Sequence, residues 1–307
     1  MGTPDFAVPC LQSLLDAGHE VCAVFTQPDK PKGRGYAMTP PPVKVLAMEH
    51  DIPVYQPKTL RTPEAAQQIR EMQPDCIVVV AYGKILPKEI LEIPPHGCIN
   101  VHASLLPKYR GAAPIQWSII EGETVTGVTT MQMDEGLDTG DMIMKKEVSI
   151  TEDETGESLH DKLAEAGAKL CVETLTALEN KTAKFEKQGE SPTAYAKMLT
   201  KDLGNINWNE PAVRIERLVR GLNSWPSAYT HWNGKVLKIW KAKAEGNGSG
   251  EAAPGTVTAV GKTDLTVQTG DGVLRVLEVQ LPGKKRMDTG AFLRGNKVEP
   301  GVLFTEG

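Results

Sequence analysis

The sequence predicts an α/β protein built on a doubly wound, mostly parallel sheet and followed by a small β-barrel of the OB type. Three observations carry that expectation. Between residues 5 and 150, short apolar runs alternate with segments of helical period, as strands do when crossover helices connect them. One run, Cys76-Ile-Val-Val-Val-Ala81, is apolar throughout, which suits a strand covered by helices on both faces. From residue 202 onward, short β-branched stretches separated by turn residues suit a small barrel.

Taken in order, Asp5 to Ala17 predicts a helix, because Phe6, Val8, Leu11, Leu14 and Leu15 recur at roughly helical spacing. Glu20 to Thr26 is apolar and β-branched, a buried strand. Gln27 to Pro42 alternates Pro, Gly and Lys and predicts an irregular loop carrying Lys30, Lys32 and Arg34. Its Gly33-Arg34-Gly35 lacks the third glycine of a dinucleotide fingerprint. That leaves a basic loop that could hold a phosphate backbone or simply be solvated. Helices are expected at Pro42 to His50, with proline in the first turn, and at Pro63 to Met72. After the strand at Asp75 to Ala81 come a strand at Ile99 to His102, a helix from about Ala113 to Glu121, and strands at Gly127 to Met133 and Met142 to Val148.

Thr151-x-x-Glu154 has the pattern of a capping box ahead of a long helix striped by Leu159, Leu163, Ala166, Leu170 and Leu178. The periodicity then dissolves, so 182–201 is expected as a linker between a first domain, 1–181, and a second, 202–307. In the second, Pro211 opens an amphipathic helix whose Arg214, Arg217 and Arg220 share a face. Strands are expected at Tyr229–Trp232, Lys235–Ala242, Thr256–Val260, Leu265–Thr269 and Gly272–Val279, interrupted by a Gly/Asn/Ser run at Glu245–Gly250.

Composition narrows the function classes. No apolar run approaches the roughly 20 residues needed to span a bilayer. Met1 to Phe6 has neither the basic start nor the apolar core of a signal peptide, and no Ser or Thr at the myristoylation position. The five cysteines are scattered, odd in number and show no Cys-x-x-Cys spacing, which argues against a zinc site and a disulfide framework and fits a reducing cytoplasm, so a cytoplasmic protein is expected. The net charge of −5 is unevenly spread: residues 202–307 hold 14 Lys and Arg against 11 Asp and Glu, and residues 1–201 hold 20 against 28. A basic second domain beside an acidic first one suggests a polyanionic partner.

The chemistry centres on Asn100-Val101-His102. Side chains two apart on a strand share a face, so Asn100 and His102 project together at the end of an apolar strand. In doubly wound sheets the ligand crevice lies beyond the carboxyl ends of the strands. The loop Asp134-Glu135-Gly136-Leu137-Asp138-Thr139-Gly140-Asp141 falls there too, and its glycines would let Asp138 turn back toward the pair. An Asn amide can donate to a developing oxyanion, and a His and an Asp can move or accept a proton. No Gly-x-Ser-x-Gly nucleophile is present, and His102 has no second His or Cys at metal-ligand spacing. Acyl-group transfer and proton abstraction both remain open, without a metal or a covalent intermediate.

A resemblance goes further. Asn100-x-His102, Ser104-Leu105-Leu106-Pro107, Arg110-Gly111-Ala112-Ala113-Pro114-Ile115 and Gly136-Leu137-Asp138-Thr139-Gly140 together resemble the folate-dependent formyltransferases. Met1-Gly2-Thr3-Pro4-Asp5-Phe6-Ala7-Val8-Pro9, Thr26-Gln27-Pro28-Asp29-Lys30-Pro31 with Gly33-Arg34-Gly35, and Asn223-Ser224-Trp225-Pro226-x-Ala228-Tyr229 extend the likeness over essentially the whole chain. They point to the branch whose acceptor is charged initiator tRNA. What the resemblance implies is a Rossmann-like catalytic domain, an OB-like tRNA-binding domain, and a monomer that carries no metal. The implied reaction moves a formyl group from 10-formyltetrahydrofolate to the α-amino group of methionine on initiator tRNA.

The same resemblance implies roles for residues. Asn100 and His102 would stabilise the oxyanion, and Asp138 would orient the site and take up the amine proton. Folate would lie beside Ser104, Leu105, Leu106 and Pro107 and against the apolar wall near Val80–Leu86. Lys30, Lys32 and Arg34 in the basic loop, and Lys284, Lys285 and Arg286 in the second domain, would hold the tRNA. A formyltransferase or formyl-folate hydrolase acting on a small molecule, and a chain that only binds RNA, are the competing readings. Family members also open with a short apolar strand ahead of the Met-Gly-Thr-Pro turn, so a native start a few residues ahead of Met1 is expected.

Overall fold

In a computed structural model, residues 1–32, 37–246 and 250–306 are described. A 3-10 turn at Asp5–Ala7 leads into α1 (Val8–Asp16), β1 (Val24–Phe25), β2 (Lys30–Lys32), β3 (Ala37–Thr39), α2 (Pro42–Glu49), β4 (Val54–Tyr55) and α3 (Pro63–Glu71). Next come β5 (Ile77–Val79), α4 (Lys88–Leu91), β6 (Cys98–His102), α5 (Pro114–Ile120), β7 (Val125–Gln132), β8 (Met142–Ser149) and α6 (Gly156–Glu179). The last elements are α7 (Ala212–Gly221), β9 (Ala228–Trp232), β10 (Lys235–Glu245), β11 (Val257–Val260), β12 (Leu265–Gln268), β13 (Val273–Gln280), β14 (Met287–Asp288) and α8 (Thr289–Gly295). Two compact units result: Met1–Pro114, Val125–Ser149 and His160–Ala196 form the first, and Ile115–Thr124, Ile150–Leu159 and Lys197–Gly307 the second.

The first unit is α/β, but its sheet corrects the expectation of mostly parallel pairing. Four strands run in the order β5-β6-β7-β8; β5 and β6 are parallel, while β6/β7 and β7/β8 are antiparallel. The reason is that an unbroken apolar run encodes burial on both faces and not direction. Six consecutive residues of β7 are buried, although both its neighbours run the other way. The sheet is also divided. β1 pairs in parallel with β4, a strand the periodicity did not reveal, and Gly2 makes a single parallel bridge to Val80. A cavity of about 400 Å³, lined by Val24, Phe25, Ile77, Val78 and the start of α1 among others, opens between β1 and β5.

Local chemistry sets the other boundaries. The expected loop at 27–42 contains an antiparallel pair, β2 with β3. Asp29 anchors its base: it accepts from Gln56 Nε2 at 2.7 Å and Lys44 Nζ at 2.9 Å, which hold its carboxyl below the usual aspartate range. The long helix starts one turn after the expected capping box. Thr155 and Ser158 cap it reciprocally, the Thr155 N–H donating to Ser158 Oγ at 3.0 Å and the Ser158 N–H to Thr155 Oγ1 at 3.1 Å. Within the stretch expected as a linker, Glu186 exchanges backbone hydrogen bonds with Met142, and Ala196 with Arg110 and Ala112, inside the first unit.

The second unit is a mostly antiparallel sheet ordered β11-β12-β13-β10-β9, with β14 on β13. The expected barrel is not closed. Among the described residues β9 and β11 do not pair; single bridges from the chain end, His231 to Thr305 and Thr256 to Leu303, meet those two edges. Closure depends on strand tilt and stagger, which short alternating runs do not encode. Its core gathers Trp208, Ile215, Val219, Leu237, Val276 and Phe292, all buried.

Candidate active site

The site begins with β6. Its burial pattern leaves Asn100 half-buried amid buried neighbours and carries His102 to the strand's end, 6% exposed. β7 braces the turn that follows. Thr129 Oγ1 donates to the Ser104 carbonyl at 2.7 Å and accepts from the Leu106 N–H at 3.1 Å. Ser104 Oγ is itself spent on the Lys108 carbonyl at 2.6 Å. Leu106 is buried with Met131 and Met142.

Three polar side chains converge. Asn100 Nδ2 lies 3.4 Å and His102 Nδ1 3.7 Å from the same carboxylate oxygen, Asp138 Oδ1. The other oxygen, Oδ2, accepts from the Gly111 N–H at 3.0 Å. Nε2 of His102 sits 3.1 Å from the Tyr109 carbonyl. A carbonyl only accepts, so Nε2 must carry a hydrogen, and in the neutral form of the ring the bare nitrogen is Nδ1, the one facing Asp138. Asp138 and Tyr109 both have φ of +56°, a conformation that costs a non-glycine residue on the order of 1–2 kcal/mol, so the surroundings must hold them there.

Those surroundings include residues that periodicity did not single out. The Tyr109 N–H donates to Thr193 Oγ1 at 2.7 Å. Gln188 bridges Arg110 to the carbonyls of Asp138 and Gly140. Gly111 (φ +128°) must stay glycine, because a Cβ there would lie 2.6 Å from the Ala196 carbonyl oxygen. Arg110 and Gly111 lie in one of the runs that carried the resemblance; nothing about Gln188 or Thr193 in sequence marks them.

The residues expected to meet nucleic acid divide differently. Arg34, Gly33 and Gly35 lie outside the described residues, and Lys32 belongs to β2. Lys30, on the same strand, is exposed. In the second unit Lys284 and Lys285 are exposed. Arg286 pairs with Glu278 and lies over the Trp240 ring, 5.2 Å from its centroid, with Lys238 Nζ at 5.7 Å from the same ring. Of the helical arginines, Arg214 is engaged by Glu121 and the Ile120 carbonyl, and Arg220 by the Glu154 carbonyl. Among the described residues no His, Cys, Asp or Glu group suits a metal, and no helix is long and apolar enough to cross a membrane.

An α/β unit that brings an Asn, a His and an Asp together, followed by a mostly antiparallel β unit, fits a group-transfer enzyme of the formyl transferase class. Family models bear this out: "Formyl transferase" matches residues 1–175, and "Formyl transferase, C-terminal domain" residues 198–297. The methionyl-tRNA formyltransferase of Agathobacter rectalis is 57% identical over 305 residues, covering 99% of this chain and 98% of the relative. That of Clostridioides difficile is 54% identical over 304 residues, covering 99% and 98%. Among solved structures, a sugar 3N-formyl transferase, WlaRD, in the presence of dTDP and 5-N-formyl-THF shares the fold, with a TM-score of 0.67 and 20% identity over 92% of this chain and 97% of that one. The chain belongs to the methionyl-tRNA formyltransferase family.

Proposed function

We propose that the chain transfers the formyl group of 10-formyltetrahydrofolate to the α-amino group of methionine on initiator tRNA, with Asn100, His102 and Asp138 as its catalytic residues. The observation that carries the site assignment is the approach of Asn100 Nδ2 and His102 Nδ1 to one oxygen of Asp138. The neutral amine attacks the formyl carbon, a nitrogen–carbon bond forms, and the carbonyl π electrons pass to oxygen. Asn100 donates to that oxyanion, a role that the loose 3.4 Å contact with Asp138 leaves it free to take up. The nitrogen now carries a proton to lose, and Nδ1 of His102 accepts it. Asp138 stabilises the imidazolium so formed. When the bond from carbon to folate N10 breaks, its electron pair stays on N10 and the proton returns there, leaving the formylated amine and tetrahydrofolate. This division gives His102 the proton and Asp138 the supporting charge.

Folate is assigned to the turn at Ser104, Leu105, Leu106 and Pro107. Ser104 and Leu106 are engaged within the protein, so contact there runs through Leu105, Pro107 and the backbone. Leu137, 58% exposed beside Asp138, and Ile85, 55% exposed in the wall after β5, offer apolar surface for a flat pterin ring. Lys30, Lys32, Arg34, Lys284, Lys285 and Arg286 are assigned to the tRNA backbone. Cations around Trp240 combine charge with a stacking face, as nucleic-acid surfaces do. An OB-like role for the second unit and a cytoplasmic monomer belong to the same reading.

The test is formyl transfer from 10-formyltetrahydrofolate to methionyl-tRNA. His102→Ala is expected to lower turnover by about 10²–10⁴, and Asn100→Ala by about 10²–10³. Near-normal turnover in either variant would remove that residue from the mechanism. Equal rates with free methionine and with methionyl-tRNA would move the substrate assignment to a small amine.

A further inference from the structure

A primary carboxamide offers two donors and an acceptor oxygen with two lone pairs, and Gln188 commits all four. Nε2 donates to the Asp138 carbonyl at 2.9 Å and to the Gly140 carbonyl at 2.7 Å. Oε1 accepts from Arg110 Nε at 2.9 Å and Nη2 at 2.8 Å. Arg110 precedes Gly111, whose N–H holds Asp138 Oδ2. One side chain thus grips the backbone of Asp138 on one side and the residue beside its carboxylate partner on the other.

We infer that Gln188 is a positioning residue for formyl transfer, a clamp that keeps Asp138 in its left-handed conformation with its carboxylate aimed at Asn100 and His102. The need for a clamp is visible in the loop. Residues 134–137 and 139 are exposed, so little packing holds them, yet the half-buried Asp138 stands at φ +56°. Asp134 organises the loop's outer turn through Thr139 Oγ1 and the Gly136 N–H, not through Asn100 or His102 hydrogen bonds. The amide of Gln188 is what ties the Asp138 and Gly140 carbonyls to the body of the first unit. If it is lost, the peptide at 138 can rotate toward ordinary φ, and the carboxylate leaves both the Gly111 N–H and the His102 ring. Gln188 hydrogen-bonds to neither His102 nor Asn100 and acts through Asp138, so the inference rests on the catalytic reading of that residue.

Two substitutions separate the arms. Gln188→Glu keeps an acceptor for Arg110 but sets a carboxylate oxygen against two carbonyls. Gln188→Met keeps the length and removes every hydrogen bond. Steady-state kinetics with both substrates, together with circular dichroism and thermal melting, are run on both variants and on Asp138→Asn. The expected result is a fall in kcat on the order of 10–10² in both Gln188 variants, as for a misplacement of about an ångström. KM for each substrate and the folded signal stay near wild type. Wild-type kcat in Gln188→Glu overturns the clamp, as does a KM increase with kcat intact, which would make Gln188 a binding residue. Should Gln188→Glu fail to fold, Gln188→Met decides, and wild-type kcat there overturns the inference. Wild-type turnover in Asp138→Asn brings down the catalytic reading itself. A dead Asp138→Asn beside a fully active Gln188→Glu brings down the clamp alone.

Discussion

Tyr109 gives His102 its character. By accepting from Nε2 at 3.1 Å, its carbonyl fixes which nitrogen is bare when the ring is neutral, and so which atom would take the amine proton in the proposed reaction. Residue-scale environment also sorts the cysteines. Burial pushes the Cys76 and Cys98 thiols up to about 12, while hydrogen bonding with Cys10 and burial raise that of Cys171. Cys10 is buried too, and only Cys22 is exposed. Thiolate is the reactive form, so the native chain near neutral pH is expected to yield one fast thiol per molecule to Ellman's reagent. All five should react in guanidinium. Two or more fast thiols in the native protein would contradict the burial of these groups.

Among elements, β6 and β7 carry the candidate site, and their antiparallel pairing sets His102 opposite Thr129, whose hydroxyl braces the turn that follows. In the second unit, α8 closes the sheet's core through Phe292, which meets the Trp232 ring edge-on at 5.3 Å. Phe292→Ala is expected to cost about 3–5 kcal/mol of stability, read as a lower midpoint for the second unit in denaturant unfolding. A loss below about 1 kcal/mol would mean the site collapses around the missing ring. Legibility at this scale followed periodicity. α1 and α7 were readable because their apolar spacing repeats over whole turns. The two-residue β1 and β4 and the four-residue α4 are too short for any period to register.

For the whole molecule, the uneven charge becomes a statement about salt. Each phosphate contact contributes roughly 0.7–0.9 to the slope of log affinity against log salt. Lys284→Ala combined with Lys285→Ala is therefore expected to flatten the slope for methionyl-tRNA binding by about 1–2, with kcat at saturating tRNA unchanged. An unchanged slope would assign the tRNA surface elsewhere.

By itself the sequence determined the α/β character of the first unit, the β character of the second, and the pairing of Asn100 with His102, because strand alternation ties residues two apart to one face whatever the fold around them. Its motifs also identified the family. Only the tertiary structure decided which strands run antiparallel, that the second sheet stays open, and that Asp138 reaches His102. It also decided that Gln188, 50 residues beyond Asp138, holds that carboxylate's backbone. Those outcomes depend on contacts between segments far apart in the chain, and no local period records them.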